Sequence, residues 1–214
     1  MRRALAELAH EGRVTRVPGN GTFVRRPMVT MGPTLTSFTE DMRRRGLEPS
    51  ARLLGLRRVP AERDVAQNLG VDVGDDVVEL RRLRLADGEP MCVEVGHLPV
   101  HLMPVLERSD LTGSLHEILA GEGIVLAVAL RCVKVAVASS EENAKLDLPA
   151  GAPTLQIVDT FLDDAERPVQ TARSRYRPDR YEVHSRLVRP EAPPPAASLP
   201  LTQSPTASES SEAE

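Results

Sequence analysis

The sequence predicts an α+β fold, an antiparallel sheet with short helices. Three features point to it. VVELRRLRLA and EPMCVEVGHL alternate apolar and polar residues on either side of Asp87-Gly88, the strongest short-range hairpin signal. TLQIVDTFLDD and RPVQTARSRYRP flank a second turn near Ala165-Glu166. The helical segments between these arms are short and carry their own caps and stops. Hairpins join antiparallel strands, so a doubly wound parallel sheet does not fit.

Taken in order, MRRALAELAHEG places Leu5, Leu8 and Ala9 at helical spacing and stops at Gly12, with no capping residue before it. TRVPGNGTFV reads as a hairpin around Gly19-Asn20-Gly21. Residues 27–34, with two Pro and a Gly, read as a linker. SFTEDMRRRG is a helix with a capping box, Ser37 at the N-cap and Glu40 at N3, ending at Gly46. Residues 51–59 form a strand, and Pro60 opens a helix that stops at Gly70.

After the Asp87-Gly88 hairpin comes a helix over 114–121, capped by Thr112 or Ser114. A long strand covers 124–138, and a short helix over 139–148 has Ser139 or Ser140 as cap. The second hairpin follows, and residues 181–188 close as a last strand. Residues 190–214 change to Pro, Ala, Ser, Thr and Glu and read as a disordered tail, too poor in large apolar groups to offset their ordering entropy.

Composition excludes several classes. With three Phe, two Tyr and no Trp, a base-stacking platform for single strands has too few rings. Residues 1–26 carry six Arg against Glu7 and Glu11, so polyanion affinity belongs there, if it is not simply a solvated Arg-rich face. Cys92 and Cys132 each sit in an apolar alternating run and read as buried, reduced thiols. The five His make no ligand pair, so no metal site is expected. The chain has neither an apolar run of 18 residues nor a signal-peptide pattern, which makes the cytoplasm the expected location.

Catalytic templates are missing as well: there is no nucleophile elbow, P-loop or dinucleotide fingerprint. The carboxylate pairs Glu40/Asp41, Asp75/Asp76, Glu141/Glu142 and Asp163/Asp164 lie at helix starts or turns, where dipole and turn roles account for them. No catalytic residue and no cofactor are expected.

Arg82 and Arg84 stand apart. At i, i+2 in a strand they share one face, roughly 7 Å apart. Turned inward they make a clamp for phosphate or carboxylate; turned outward they make a basic face paired with Glu79 or Glu94. A two-residue turn opposes Ala86 to Glu89, which sets Arg84 against Met91, Leu83 against Cys92 and Glu94 against Arg81. Alternation sets Val78, Leu80, Leu83 and Leu85 mostly away from the Arg pair, with a phase change near Arg81-Arg82.

RRALAELAHEGRVTRVPGNGTFV resembles the C-terminal part of the winged helix-turn-helix of GntR-type transcriptional regulators: the end of the recognition helix, then the wing with its G-x-G-T-F-V signature. SFTEDMRRRGLEPS, ERDVAQNLGV, VVELRRLRLADGEPMCVE, DLTGSLHEIL and RPVQTARSRYRPDRYEV resemble the UTRA effector domain of the HutC branch, in that family's order and spacing. The resemblance implies a chorismate-lyase-like fold over residues 35–189 and a winged-helix fragment over 1–26.

It also implies an effector pocket. In the sugar-phosphate-sensing members the matching positions are Ser37, Phe38, Thr39, Arg82, Arg84, Glu94, Ser114 and Tyr176, with His116 in place of a Tyr and Gln170 in place of a Glu. Its anion half is retained and its sugar-recognising half altered, so an acidic effector, sugar phosphate or carboxylate, is expected. Arg2, Arg3, Arg16, Gly19, Asn20 and Gly21 are the implied contacts to operator DNA.

Relative to the family, the first two helices of the DNA-binding unit and the start of the third precede Met1. Either a late start codon or a real truncation explains that, and the alternative function is a stand-alone effector-binding protein without DNA binding. The shared fold also raises a lyase, for which no catalytic acid is evident. A homodimer is expected, because palindromic operators need two joined units and strand 124–138 is apolar on both faces.

Overall fold

A computed structural model describes residues 34–185 in full and, of what precedes them, the backbone of three short strands. Those strands are β1 (Val14–Val17), β2 (Gly21–Val24) and β3 (Val29–Met31). β1 and β2 pair antiparallel from Val14 opposite Val24 to Val17 opposite Gly21, as expected of the Gly-Asn-Gly hairpin. The first helical segment and the tail from 190 lie outside the described residues.

Residues 27–34 are not simply a linker. β3 lies within them and pairs in parallel with β10 (Tyr181–Val183). β-prone Val29 and Thr30 supply a pairable stretch between the flanking prolines. The last strand is correspondingly short: β10 ends at Val183 rather than running to 188.

The body is a six-stranded antiparallel sheet, ordered β4-β5-β6-β9-β8-β7. Its strands are β4 (Pro49–Pro60), β5 (Asp76–Ala86), β6 (Glu89–Pro99), β7 (Leu126–Val137), β8 (Pro153–Asp163) and β9 (Pro168–Tyr176). Both expected hairpins form. Asp87 and Gly88 take φ of 54° and 76°, the left-handed values a two-residue turn requires, and Glu166 takes 58° in the second turn.

Among the described residues, five short α-helices pack on the sheet: α1 (Phe38–Arg44), α2 (Arg63–Leu69), α3 (Met103–Glu107), α4 (Leu115–Gly121) and α5 (Ser140–Lys145). The capping box of α1 is present: Glu40 N–H donates to Ser37 Oγ at 3.1 Å, and Ser37 N–H to Glu40 Oε2 at 2.7 Å. Ser114, rather than Thr112, caps α4, and Ser139, rather than Ser140, caps α5 in a second capping box with Glu142. Pro60 closes β4 instead of opening a helix; α2 starts three residues later, behind Glu62. A proline is tolerated at the end of an edge strand, where its missing N–H disturbs no ladder.

The Asp87-Gly88 hairpin opposes Ala86 to Glu89 as expected, but its register then shifts. Leu85 pairs with Pro90 and Arg84 with Cys92, leaving Met91 as the extra residue of a β-bulge. Arg84 therefore does not face Met91, Leu83 faces Val93 instead of Cys92, and Glu94 falls opposite Arg82, not Arg81. The expected phase change in β5 is also absent: pairing with β6 is continuous from Val77 to Arg84. Val78, Leu80, Arg82 and Arg84 thus share one face.

On that face Val78 and Leu80 join Leu98, Leu106, Leu115 and Leu119 in the largest apolar cluster. Further along, Ala86, Met91 and Cys92 pack with Met42, Tyr176 and Tyr181. The opposite face buries Val77 against Val65 and Leu69 of α2, and Leu83 and Val93 against Leu146 after α5. Arg82 and Arg84 lie between the two clusters of the first face, inside the domain rather than on a basic exterior.

Cys92 is buried, but Cys132 is exposed, because β7 is an edge strand that no helix among the described residues covers. For the same reason Leu130, Val133, Val135 and Val137 remain 62%, 41%, 74% and 63% exposed.

Candidate effector-binding site

The ladder registers place the polar floor of the cavity. Read across the sheet, Arg82 pairs with Glu94 and Glu94 with Ser174; one row over, Arg84 pairs with Cys92 and Cys92 with Tyr176. In a third row Gly96 meets Ala172, Ala172 meets Asp159, and Asp159 meets Arg131. Residues directly opposite in an antiparallel pair project to the same side, so these groups all rise from one face. The N-terminal ends of α1 and α4 lie over them, bringing Ser37, Phe38 and Thr39 from one side and Ser114 and His116 from the other.

The result is an open cavity of about 640 Å³, solvent at its mouth included. All ten expected effector residues line it: Ser37, Phe38, Thr39, Arg82, Arg84, Glu94, Ser114, His116, Gln170 and Tyr176. Asp41, Arg131, Asp159, Phe161 and Tyr181 line it too, and sequence reading missed them. Asp41 was assigned to the helix dipole. Alternation along 153–163 and 124–138 would have put Asp159 and Arg131 on a face, but only the pairing of β8 with β7 joins them.

The two central arginines, each 2% exposed, differ in their partners. Arg82 donates from Nε and Nη2 to Glu94 Oε1 at 3.0 and 2.6 Å, and from Nη1 to the Leu111 and Gly113 carbonyls. Arg84 makes no ion pair among the described residues. Its Nη1 donates to the Gly113 carbonyl at 3.2 Å and Nη2 to Thr39 Oγ1 at 3.0 Å, while Nε has no partner. Its guanidinium carbon sits 4.6 Å from the centre of the Phe38 ring, a cation–π contact. A third arginine is closed off: Arg131 grips both oxygens of Asp159, at 2.6 and 2.9 Å.

Electrostatics follow from these contacts. Burial opposes the charge on Arg84, and the neighbouring Arg82 adds to that, so its pKa falls. Burial likewise disfavours ionised Glu94, but the Arg82 and Arg84 guanidiniums outweigh it and hold its carboxyl below the usual range. His116 meets the Phe161 ring edge-on, with centroids 5.0 Å apart. Burial lowers its pKa; Glu94 and Glu40 act against that, and Arg82 and Arg84 with it. His116 is therefore neutral at pH 7. Tyr176 and Tyr181 stack at 3.8 Å and make the aromatic wall.

Ser37 and Ser114 accept from the backbone as helix caps, which leaves each hydroxyl proton available to a ligand. Among the described residues no cluster of His, Cys, Asp or Glu has the arrangement to hold a metal ion.

Of the expected DNA contacts, Arg2, Arg3, Asn20 and Gly19 lie outside the described residues. Arg16 and Gly21 fall on the backbone of β1 and β2.

A model of the UTRA domain matches residues 44–182, which run from the end of α1 through β10. The chain belongs to the UTRA-domain family of GntR-type transcriptional regulators. It is a regulator, not an enzyme. The transcriptional repressor NagR of Bacillus subtilis is 34% identical over 183 residues, 85% of this chain and 75% of the relative. The transcriptional repressor PhnF of Mycolicibacterium smegmatis is 32% identical over 181 residues, 84% and 74% of the two chains. The crystal structure of PhnF from Mycobacterium smegmatis superposes with a TM-score of 0.75 at 30% identity, covering 87% of this chain and 83% of that one. Its separately solved effector domain gives 0.70 at 26% identity, covering 75% of this chain and all of that one. The UTRA domain of this regulator thus adopts the expected α+β fold. Among the described residues, no helix is long and apolar enough to cross a membrane.

Proposed function

We propose that this UTRA regulator is an effector-controlled homodimer of the HutC branch, cytoplasmic, which binds operator DNA through its N-terminal segment and a small anion, sugar phosphate or carboxylate, in the cavity. One observation carries the anion: Arg84 is a buried cation, 2% exposed, that makes no ion pair of its own among the described residues and leaves Nε without a partner. A desolvated charge without a counter-charge is unfavourable unless something supplies one. Arg82 and Arg131 already have theirs, so Arg84 sets both the sign and the seat of the ligand. Ser37, Thr39 and Ser114 offer hydroxyls around that seat, Phe38 packs on the guanidinium, and Glu94, His116, Gln170 and Tyr176 face the remainder of the molecule.

For DNA the support is the GntR relationship and the Arg-rich, hairpin-forming sequence of residues 1–26, with Arg2, Arg3 and Arg16 to the phosphates or bases and Gly19, Asn20 and Gly21 at the wing. For the dimer it is the uncovered apolar edge strand β7.

Thermal denaturation against a panel of sugar phosphates and small carboxylates tests the effector reading. A ligand at 100 times its dissociation constant stabilises by about 2.7 kcal/mol. Failure of every anion to raise the melting temperature removes the reading.

A further inference from the structure

Three polar atoms that are buried without a hydrogen-bond partner belong to residues lining this cavity: Arg84 Nε, Asp41 Oδ2 and Gln170 Oε1. The first is a donor and is answered by an anion. The other two are acceptors, and an anion does nothing for them. A buried acceptor left unmet is costly, the more so when it is a carboxylate oxygen.

Asp41 is 6% exposed. It stands in the first turn of α1, where the dipole favours an acid, but Ser37 and Glu40 already satisfy that end of the helix. Its Oδ1 accepts from Arg45 Nη2 at 3.0 Å, one turn along. That pair leaves Oδ2 buried and unmet on a residue of the cavity wall. Gln170, 2% exposed, is held by contact rather than by hydrogen bonding on its oxygen. Its Nε2 lies 3.0 Å from where a Cβ on Gly96 would stand, so the amide fits against β6 only because residue 96 has no side chain.

We propose that Asp41 is a specificity-determining residue that reads a hydrogen-bond donor on the effector. Its Oδ2 accepts from an ammonium or hydroxyl group of the same molecule whose anionic group Arg84 holds, and Gln170 Oε1 accepts a second donor. The assignment rests on the anion reading and adds the other half of the ligand. A bare anion satisfies Arg84 and leaves Asp41 Oδ2 desolvated and unpaired; an anion carrying an amino or hydroxy group satisfies both.

The test uses the full chain and matched probes: ethyl phosphate against 2-aminoethyl phosphate, and propyl phosphate against 3-aminopropyl phosphate and glycerol 3-phosphate, titrated by calorimetry. At least one donor-bearing probe is expected to bind about tenfold tighter than its plain partner, equivalent to about 1.4 kcal/mol. Asp41→Asn turns an N–H toward the ligand in place of the oxygen and is expected to erase that ratio while leaving the plain phosphates within about threefold. Asp41→Ser serves the same purpose if the amide does not fold. Arg45→Met removes the ion pair without touching Oδ2 and is expected to keep the ratio. Equal affinities within every pair for the unsubstituted protein, or a ratio that survives loss of Asp41, overturns the assignment. If none of the phosphates binds, the same comparison is made with propionate against 3-aminopropionate; if neither class of anion binds, the anion reading fails and takes the Asp41 assignment with it.

Discussion

Arg82 Nη2 lies 2.6 Å from Glu94 Oε1, directly across the β5–β6 ladder, because Met91 bulges out of the strand between the turn and Glu94. Without that one extra residue Glu94 would face Arg81. The bulge therefore decides which of the three arginines Arg81, Arg82 and Arg84 is paired with Glu94, and Arg84 is left without an ion pair of its own.

Arg84→Met is expected to abolish anion-dependent stabilisation and leave the unliganded melting temperature unchanged or higher. Loss of a charge-assisted partner to a desolvated anion costs on the order of 2–5 kcal/mol of binding. Loss of an unpaired buried charge to an apolar group of similar length is neutral or favourable to the fold. Paired thermal melts with and without phosphate measure both; a large drop in the unliganded protein would mean that Arg84 is chiefly structural.

Arg82→Ala should behave in the opposite sense. It leaves Glu94 buried without its guanidinium, which is expected to cost about 3–5 kcal/mol of stability. Chemical denaturation of the two variants side by side gives the comparison, and Arg82→Ala/Glu94→Ala is expected to recover part of the loss.

Burial holds His116 below its ordinary pKa of 6.5, so the folded chain binds this proton less readily than the unfolded chain does. Its contribution to stability is complete above pH 6.5 and is lost as pH falls through the lower, folded-state value. His97, also lowered, chiefly by burial, adds a loss of the same sign. Melting temperature is thus expected to decline below pH 6.5, and less steeply in His116→Gln. Glu94, depressed below 4.5, contributes a separate loss at more acidic pH, which the His116 variant retains. Melts across the range resolve the two windows; identical slopes in the two proteins count against the assignment.

Val135→Lys, at a position 74% exposed on β7, is expected to convert a dimer to a monomer without lowering the content of secondary structure. Sedimentation equilibrium at micromolar concentration measures the change. A chain that is already monomeric before substitution removes the edge strand as the dimer interface.

Local signals were the legible part of this fold. Asp87-Gly88, the Ser37/Glu40 box and the Ser114 cap act over a few residues, and each stands where its chemistry demands. The ten effector positions came from resemblance and converge on one cavity. The illegible part depends on pairing between distant segments. Nothing near Met91 announces a bulge, which exists to reconcile the turn with the β6–β9 register. Asp159 and Arg131 meet only because β8 pairs with β7, and Cys132 is exposed because no helix among the described residues covers β7. Asp41 is legible as a helix-dipole partner and stands in the first turn of α1; that its second oxygen is buried without a partner depends on the fold packed around it.

Strand β3 has a mechanical meaning. Tyr181 forms part of the cavity wall, and its own peptide unit is laddered to that of Val29, with Glu182 against Thr30 and Val183 against Met31. A three-rung parallel ladder has almost no slack, since a shift of even an ångström breaks hydrogen bonds of fixed length. The backbone of a cavity-wall residue is thus hydrogen-bonded directly to the strand that follows the hairpin of β1 and β2. A ligand that displaces Tyr181 is expected to move Val29 with it.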